Sequence, residues 1–535
     1  MKIAANARIQ RFPLLIPLFC WCLVLFLHAS GPSAAGSPQV EVGEFPPADA
    51  IALETDGVQH ALDALPATVD EIMRRSGVPG LAVAVVHRGE TVFSRGFGVR
   101  ELGKNLPVEP ETVFQLASIS KSVSATVAAI QIAKGAARWD DPIVKYLPAF
   151  KLNDAYVTSH ATIGDLFSHR SGLPHEAGDD LEELGFDRAT VIERLAQLPL
   201  GAFRTSYAYA NFGTTIAGEA VAAAANTGWE TLANELLFQP LGMTATSYAY
   251  EDLLSQSNRA ELHALEDGRF QPLYSLNVQA QAPAGSLSSN VVDMAEWLKL
   301  LLAGGTRDGK ALFTPEAIQP ALTAQSFSAR AQQMDARSGF YGYGFNVNVE
   351  ANGRTSMGHS GAFVLGASTS FKIVPSADLG IIVLTNGAPV GATEAIVTQF
   401  VDTALYGQPT RDWFDTYHTA FAGILAPRGD LVGQSPPASA SPANKLDAYI
   451  GTYANPYYGS AEIKRDGGGL ALVLGPKKLV FPLQHWDGDT FAMAPAGEGM
   501  AKGSLGSVSF KATDAKTSGF TADLFNDAGL GTWDR

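Results

Sequence analysis

One serine in this chain is placed where a lysine could make it a nucleophile. Ser118-Ile119-Ser120-Lys121 leads into a helical run carrying Val123, Val127 and Ile130. Spacing i, i+3 puts the serine and lysine on one helical face, about one turn apart. The helix N-terminus adds positive potential and free backbone N–H groups beside the serine. A serine hydroxyl is a weak nucleophile until a neighbouring base takes its proton. Lys121 can be that base only when neutral. Lowering its pKa from about 10.4 to near 7 costs about 4–5 kcal/mol, which desolvation and nearby positive charge must supply. Taken alone, the motif reads more simply as a helix cap followed by a surface lysine.

Two further motifs follow in order. Tyr209-Ala210-Asn211 supplies a tyrosine oxygen that could relay the serine proton, and an amide that could orient both the lysine and a substrate amide. Gly358-His359-Ser360-Gly361-Ala362 stands just ahead of a strand expected to begin near Phe363. Backbone N–H groups on an edge strand there can form an oxyanion hole, and His359 can bind or polarise a substrate group. Chance explains each motif singly but not their joint order. Tyr453-Ala454-Asn455 has the same spacing as the second motif, yet it lies in a separate β-rich region and reads as a strand-end turn before Pro456. His87-Arg88-Gly89 matches His-x-Gly but sits in a tight turn ahead of the serine.

Other candidates carry less. Gly-x-Ser-x-Gly is not formed around Ser360, because Ala362 holds the final glycine position. His160, His169, His175 and Glu176 cluster without His-Glu-x-x-His spacing and read as turn and loop residues, so neither a metal nor an organic cofactor is expected. Tyr341, Tyr343 and Phe345 read as core or strand packing ahead of a cleft lining. Asp140-Asp141-Pro142 reads as a turn and helix start.

The elements that must position these residues can be outlined. A short helix is expected from Pro66, at its start, to Ser76, with Gly77 stopping it. Leu81–Val86 and Thr91–Phe97 read as strands joined at Arg88-Gly89-Glu90. The pattern is then mostly helical to Gly285, with a further helix at Asp293–Leu302. Two strand-like runs between Phe363 and Leu384 meet at Pro375-Ser376-Ala377-Asp378, and a helix over Thr393–Leu405 closes the unit. Strands at both ends of a helical region predict one α/β domain whose sheet is built from distant segments. Pro427–Asn444 is a linker by composition. The runs 461–464, 470–474, 479–483, 508–511 and 520–524 then read as an all-β barrel or sandwich. The expected division is 1–35, 36–426, 427–444 and 445–535.

Composition narrows the class. Of 535 residues, 46% are hydrophobic and 17% charged, enough apolar material for more than one core. A net charge of −15 argues against a nucleic-acid partner. Lys2, Arg8 and Arg11 precede an apolar run from Phe12 to Leu27, and Ser33-Ala34-Ala35 offers a cleavage site. That order is the signature of a secretory signal peptide, and the run is short for a bilayer span. Cleavage would remove both cysteines, Cys20 and Cys22, and take the charge to −18. The expected product is exported, periplasmic or extracellular, with no stable membrane insertion.

From Pro79-Gly80-Leu81 to Thr385-Asn386-Gly387 the chain resembles the serine β-lactamase and penicillin-binding-protein-like hydrolases, nearest to the class C β-lactamase group with its esterases and D-amino-acid peptidases. Shared texture includes His169-Arg170-Ser171-Gly172-Leu173-Pro174, Pro240-Leu241-Gly242-Met243 and Pro283-Ala284-Gly285. Gly451-Thr452-Tyr453 with Asn455-Pro456-Tyr457-Tyr458-Gly459 resembles a lipocalin-like module found after some peptidases of this family. The resemblance implies an α/β fold with an antiparallel sheet flanked by helices and a helical subdomain, followed by a small all-β barrel-like domain. It implies Ser118 as acylated nucleophile, Lys121 as base or proton relay and Tyr209 as a partner in proton transfer. Asn211, His359, Gly361 and Ala362 would bind substrate, with the N–H groups of Ser118 and Ala362 as oxyanion hole. His359 stands where β-lactamases of the group usually carry lysine. An esterase or peptidase acting on a small-molecule or short-peptide substrate is therefore expected ahead of a β-lactamase or a penicillin-binding sensor.

Overall fold

The computed structural model describes residues 40–41, 50–53, 55–513 and 516–535. The expected signal segment, residues 1–35, lies outside them. Ala61, Leu65, Val69 and Ile72 recur at helical spacing, and helix α1 (Gly57–Ser76) buries all four. Gly77 ends it at φ 74, with its N–H on Met73 O. The expected start at Pro66 needs correction: the helix begins at Gly57 and Pro66 lies inside it. The apolar stripe runs through the proline, so packing holds the helix together where one backbone bond is missing.

Strands β1 (Gly80–His87) and β2 (Glu90–Gly98) form a hairpin. Its turn residues Arg88 and Gly89 have φ of 53° and 77°, the left-handed pair that matches strand twist in a tight hairpin. Helices α2 (Ile119–Ala133), α3 (Asp179–Leu184), α4 (Asn211–Ala224) and α5 (Val291–Leu302) belong to the long insertion that follows. The chain then returns to the sheet as β3 (Ser326–Ala329), β4 (Gly339–Tyr341), β5 (Asn346–Val349), β6 (Thr355–Phe363), β7 (Ala367–Val374) and β8 (Leu379–Thr385). Helix α6 (Ala392–Tyr406) follows.

The sheet is antiparallel throughout, in the order β3-β4-β5-β6-β7-β8-β1-β2. The two halves of the sheet are joined by the pairing of β8 with β1, from Leu379 opposite His87 to Thr385 opposite Leu81. Alternation sorts the two faces. Leu81, Val83 and Val85 pack with α1 and α6, while Ala82, Ala84 and Val86 join the core that includes α2 and α5. The Gly358–Ala362 motif, expected just before a strand, lies within β6.

Residues 451–534 form a second eight-stranded antiparallel sheet that is nearly closed into a barrel. Its first and last strands are bridged by Ala454 and Asp534, whose N–H groups each donate to the other's carbonyl at 2.7 and 3.0 Å. Tyr453, Ile463, Leu472, Phe491, Phe520 and Trp533 are buried in it. Strands Thr490–Met493 and Thr532–Asp534 were not anticipated, being too short to show alternation. Residues 427–444 carry no helix or strand, yet they are held to the barrel: Arg428 N–H donates to Ser504 Oγ at 3.0 Å and Ser441 N–H to Asp487 Oδ1 at 2.6 Å.

Pro66→Ala should restore the missing helical bond and raise stability by about 1–2 kcal/mol, less than the full penalty of an internal proline because the unfolded chain also gains freedom. Denaturant unfolding followed by circular dichroism measures this. An unchanged or lower midpoint would mean that the proline ring contributes packing worth more than the bond.

Candidate active site

Ser118 sits where strand gives way to α2, and the approach is strained. Ala117 has φ 47, a left-handed value that an alanine adopts only at a cost of about 1 kcal/mol. The surroundings hold it there: Leu116 N–H donates to Leu287 O at 2.8 Å, and Thr369 Oγ1 donates to Leu116 O at 2.8 Å. Strand β6 comes close because Gly361 has no side chain. A Cβ there would lie 2.3 Å from Leu116 O and 2.8 Å from Ser118 N. From His359 onward the outer edge of β6 is free of β5, whose pairing stops at Gly358. The stretch from His359 to Ala362 therefore offers a half-open strand edge beside the serine.

Helix α2 is buried from Ile119 to Gln131, around its whole circumference and not only on the face marked by Val123, Val127 and Ile130. Its hydroxyl side chains survive burial because each is paired. Ser122 Oγ donates to Gly344 O and Ser124 Oγ to Pro283 O, while Thr126 Oγ1 accepts from Trp297 Nε1. Lys121 shares this burial. Its Nζ donates to Ser118 Oγ at 3.0 Å, Asn211 Oδ1 at 2.6 Å and Ala284 O at 2.9 Å. All three partners are neutral. Desolvation pulls the lysine down to about 7, partly opposed by the field of Asp179.

Tyr209 Oη donates to Ser118 Oγ at 2.7 Å, and the lysine Nζ stands 4.6 Å from the Tyr209 ring centre. Burial holds the phenol well above its usual pKa, so this tyrosine keeps its proton. Its ring rests against His169, with centroids 4.5 Å apart, and His169 Nδ1 accepts from Ala210 N–H at 3.2 Å. That bond leaves the neutral tautomer with its proton on Nε2, which is buried without a partner. Asn211 opens α4; its Nδ2 donates to Asp179 Oδ2 at 2.7 Å while its oxygen faces the lysine.

His359 is buried at the other end of the half-open edge. Its Nδ1 lies 2.6 Å from Ser360 O, a pure acceptor, so Nδ1 carries the proton and Nε2 accepts from Tyr341 Oη at 2.8 Å. Burial drives this histidine down to about 3, and it is neutral at physiological pH. Both ring nitrogens are engaged within the protein. Beyond Ala362, the N–H groups of Val364 and Leu365 donate to the Glu498 carboxylate of the barrel at 2.8 and 3.0 Å.

Ser118, Lys121, Tyr209 and Asn211 thus come together, with Gly361 packed against the serine and His359 and Ala362 on the strand beside them. Sequence reasoning missed Asp179 and His169 as neighbours of this cluster, and placed Tyr341 with Tyr343 and Phe345 in the packing. Tyr343 and Phe345 are core residues, but Tyr341, also buried, reaches His359, because β4 ends at Tyr341 and the other two lie in the turn that follows it. His160 is exposed and distant in role, bonded to Tyr156 O. Among the described residues no three His, Cys, Asp or Glu side chains are grouped as a metal ion would need.

A family profile described as Beta-lactamase matches residues 65–404, and one described as Domain of unknown function (DUF3471) matches residues 435–523. Beta-lactamase-like protein 2 of Dictyostelium discoideum is 32% identical over 199 residues, which span 35% of this chain and 36% of that protein. The D-alanyl-D-alanine-carboxypeptidase/endopeptidase AmpH of Escherichia coli (strain K12) is 24% identical over 62% of this chain and 86% of its own length. The octameric penicillin-binding protein homologue from Pyrococcus abyssi shares the fold at a TM-score of 0.57, with 21% identity, covering 86% of this chain and 98% of that one.

Titration of Lys121 should be visible directly. In 13C NMR of labelled lysine side chains, one Cε resonance should titrate with a midpoint near 7 and vanish in Lys121→Met. A midpoint above 9 for that resonance would mean that the chamber solvates the ammonium after all.

Proposed function

The chain belongs to the Beta-lactamase family, and from that premise we propose that it cleaves an ester or amide through an acyl-enzyme on Ser118, as an esterase or peptidase for small or D-configured substrates. It is a hydrolase of the β-lactamase fold, and a carboxypeptidase/endopeptidase stands among its relatives. The observation that carries the proposal is the convergence of Lys121 Nζ, at 3.0 Å, and Tyr209 Oη, at 2.7 Å, on one serine oxygen.

In this reading Lys121 is the general base. It is neutral in a substantial fraction of molecules at pH 7, whereas Tyr209 keeps its proton and serves as a relay. Ser118 Oγ attacks the carbonyl carbon as its proton passes to Lys121. The N–H groups of Ser118 and Ala362 stabilise the oxyanion. The proton then moves through Lys121 and Tyr209 to the leaving oxygen or nitrogen, and the C–O or C–N bond breaks. Water enters, gives a proton to the same base and attacks the acyl carbon; the bond from that carbon to Ser118 Oγ breaks, the base returns the proton to Oγ, and the acid leaves. Every proton is accounted for by the chain's own residues.

His359 favours ester and peptide substrates over penicillins and cephalosporins. A lysine at this position would offer a cation to the β-lactam carboxylate, whereas a neutral imidazole bonded at both nitrogens offers none. The basic, apolar and small-residue order of the N-terminal segment supports export of the enzyme.

The test is a kcat/KM panel on a short-chain p-nitrophenyl ester, D- and L-alanine p-nitroanilides and a chromogenic cephalosporin. The ester or the D-anilide should lead, and Ser118→Ala should lose on the order of 10⁴ or more in turnover. Preference for the cephalosporin would overturn the substrate reading, and an active Ser118→Ala would overturn the nucleophile. The base must be neutral to act, so kcat/KM should fall about tenfold per pH unit below 7 and level off above it. A profile flat down to pH 5 would exclude Lys121 as the base.

A further inference from the structure

The barrel meets the catalytic unit at a point the proposed mechanism does not use. Its Asn455–Gly459 turn brings two buried tyrosines to Asp180: Tyr457 Oη lies 3.3 Å from Oδ1 and Tyr458 Oη 2.6 Å from Oδ2. The next residue back, Asp179, takes the Asn211 amide, and Asn211 takes Lys121. We propose that Tyr457 and Tyr458 are positioning residues for Lys121, acting through Asp180, Asp179 and the Asn211 amide. This rests on the reading of Lys121 as the base of Ser118.

Each link has a physical reason. The two ends of an asparagine amide are nearly isosteric, and an Asn211 turned the other way would aim N–H groups at the lysine. Asp179 Oδ2 accepts from Nδ2 and so keeps the oxygen toward Nζ. Asp179 and Asp180 open α3, a helix of six residues, too short to hold its own place. The barrel grips it at several points. Besides the tyrosines, Lys477 N–H donates to Leu184 O at 3.1 Å, Lys477 Nζ donates to Glu183 O at 3.1 Å, and Gly499 N–H donates to Glu183 Oε2 at 3.2 Å.

The turn that carries the tyrosines is itself rigid. Asn455 Oδ1 accepts from the N–H groups of Tyr457 and Tyr458, and its Nδ2 donates to Leu530 O and Thr532 O. Arg194 donates to Tyr457 O and Gln197 to Pro456 O from the catalytic side. The repeated Tyr-Ala-Asn spacing at Tyr453–Asn455 therefore belongs to the device that reaches the lysine, not to a second site. Docking alone would be served as well by apolar contact. Two hydroxyls on a shielded carboxylate are costly to bury and are specific to one geometry.

The test uses the full-length protein and the p-nitrophenyl ester. The titratable groups facing Lys121 are Asp179 of α3, Tyr209, His169 and His359; Asp180 acts only through Asp179. In Tyr457→Phe/Tyr458→Phe, kcat should fall about tenfold with KM within twofold. The acidic limb of kcat/KM should move to lower pH, because Lys121 loses an acceptor that favours its ammonium form. Asp180→Asn, which still accepts from the tyrosines, should recover most of the loss seen in Asp180→Ala. If the double variant does not fold, Tyr457→Phe alone and the two Asp180 variants carry the test. Equal kcat and an unmoved limb in the tyrosine variants, or equal losses in both Asp180 variants, would reduce the turn to a docking contact. A Ser118→Ala enzyme that keeps its turnover would instead sink the reading beneath this one.

Discussion

An ammonium group without water or a touching carboxylate is the constraint on which the rest of the structure depends. Lys121 is fully buried, and its three hydrogen-bond partners are a hydroxyl, an amide oxygen and a backbone carbonyl. An aspartate in the place of Asn211 would hold the charge on the lysine. The amide instead accepts a hydrogen bond without contributing a full charge, and it keeps the nearest carboxylate, Asp179, one group away. The burial that lowers the lysine also explains why α2 is apolar or internally paired around its entire surface.

The sheet meets the same demand from the other side. Gly361 lets β6 lie against the serine backbone, and Ala117 accepts a left-handed conformation so that Ser118 can start the helix beneath that strand. Local strain is tolerated where the surrounding bonds determine the geometry more strongly than backbone preference does. His359 and Tyr341 show the complementary solution. Two polar groups satisfy each other, so the wall of the cleft is polar in composition yet carries no charge.

Much of this was legible because helix spacing and motif order are local. Ser118 and Lys121 are one turn apart, and Tyr209 precedes the helix that Asn211 begins. The resemblance extends that local pattern to the sheet and the barrel, and the fold agrees with it. What escaped was set by partners far along the chain. Asp179 belongs to no motif, and only the Asn211 amide on its carboxylate ties it to the cluster. His169 reads as a loop histidine until Tyr209 lies across its ring. Pro66 misled in the opposite direction. A proline is a fair signal for a helix start, but four buried apolar residues at helical spacing outweighed one missing bond. The motif around His359 was expected just ahead of a strand near Phe363, whereas it lies inside the strand, where Gly361 permits a close approach to the serine.

The pairing of β1 with β8 has a consequence for how the molecule is made. Residues 80–87 must wait for residues 379–385, so the first strand emerges from the ribosome on the order of tens of seconds before that partner at ordinary rates of synthesis. During that interval an apolar strand with one open edge is exposed to the cell, the hazard that long-range sheets share. The barrel is different. Seven of its eight strand pairs join neighbours in sequence, so it can close soon after it is synthesised. A late, fast-folding unit that grips α3 and the turn after β6 would arrive as a clasp on a slower partner, and biogenesis of the catalytic unit would finish with its docking.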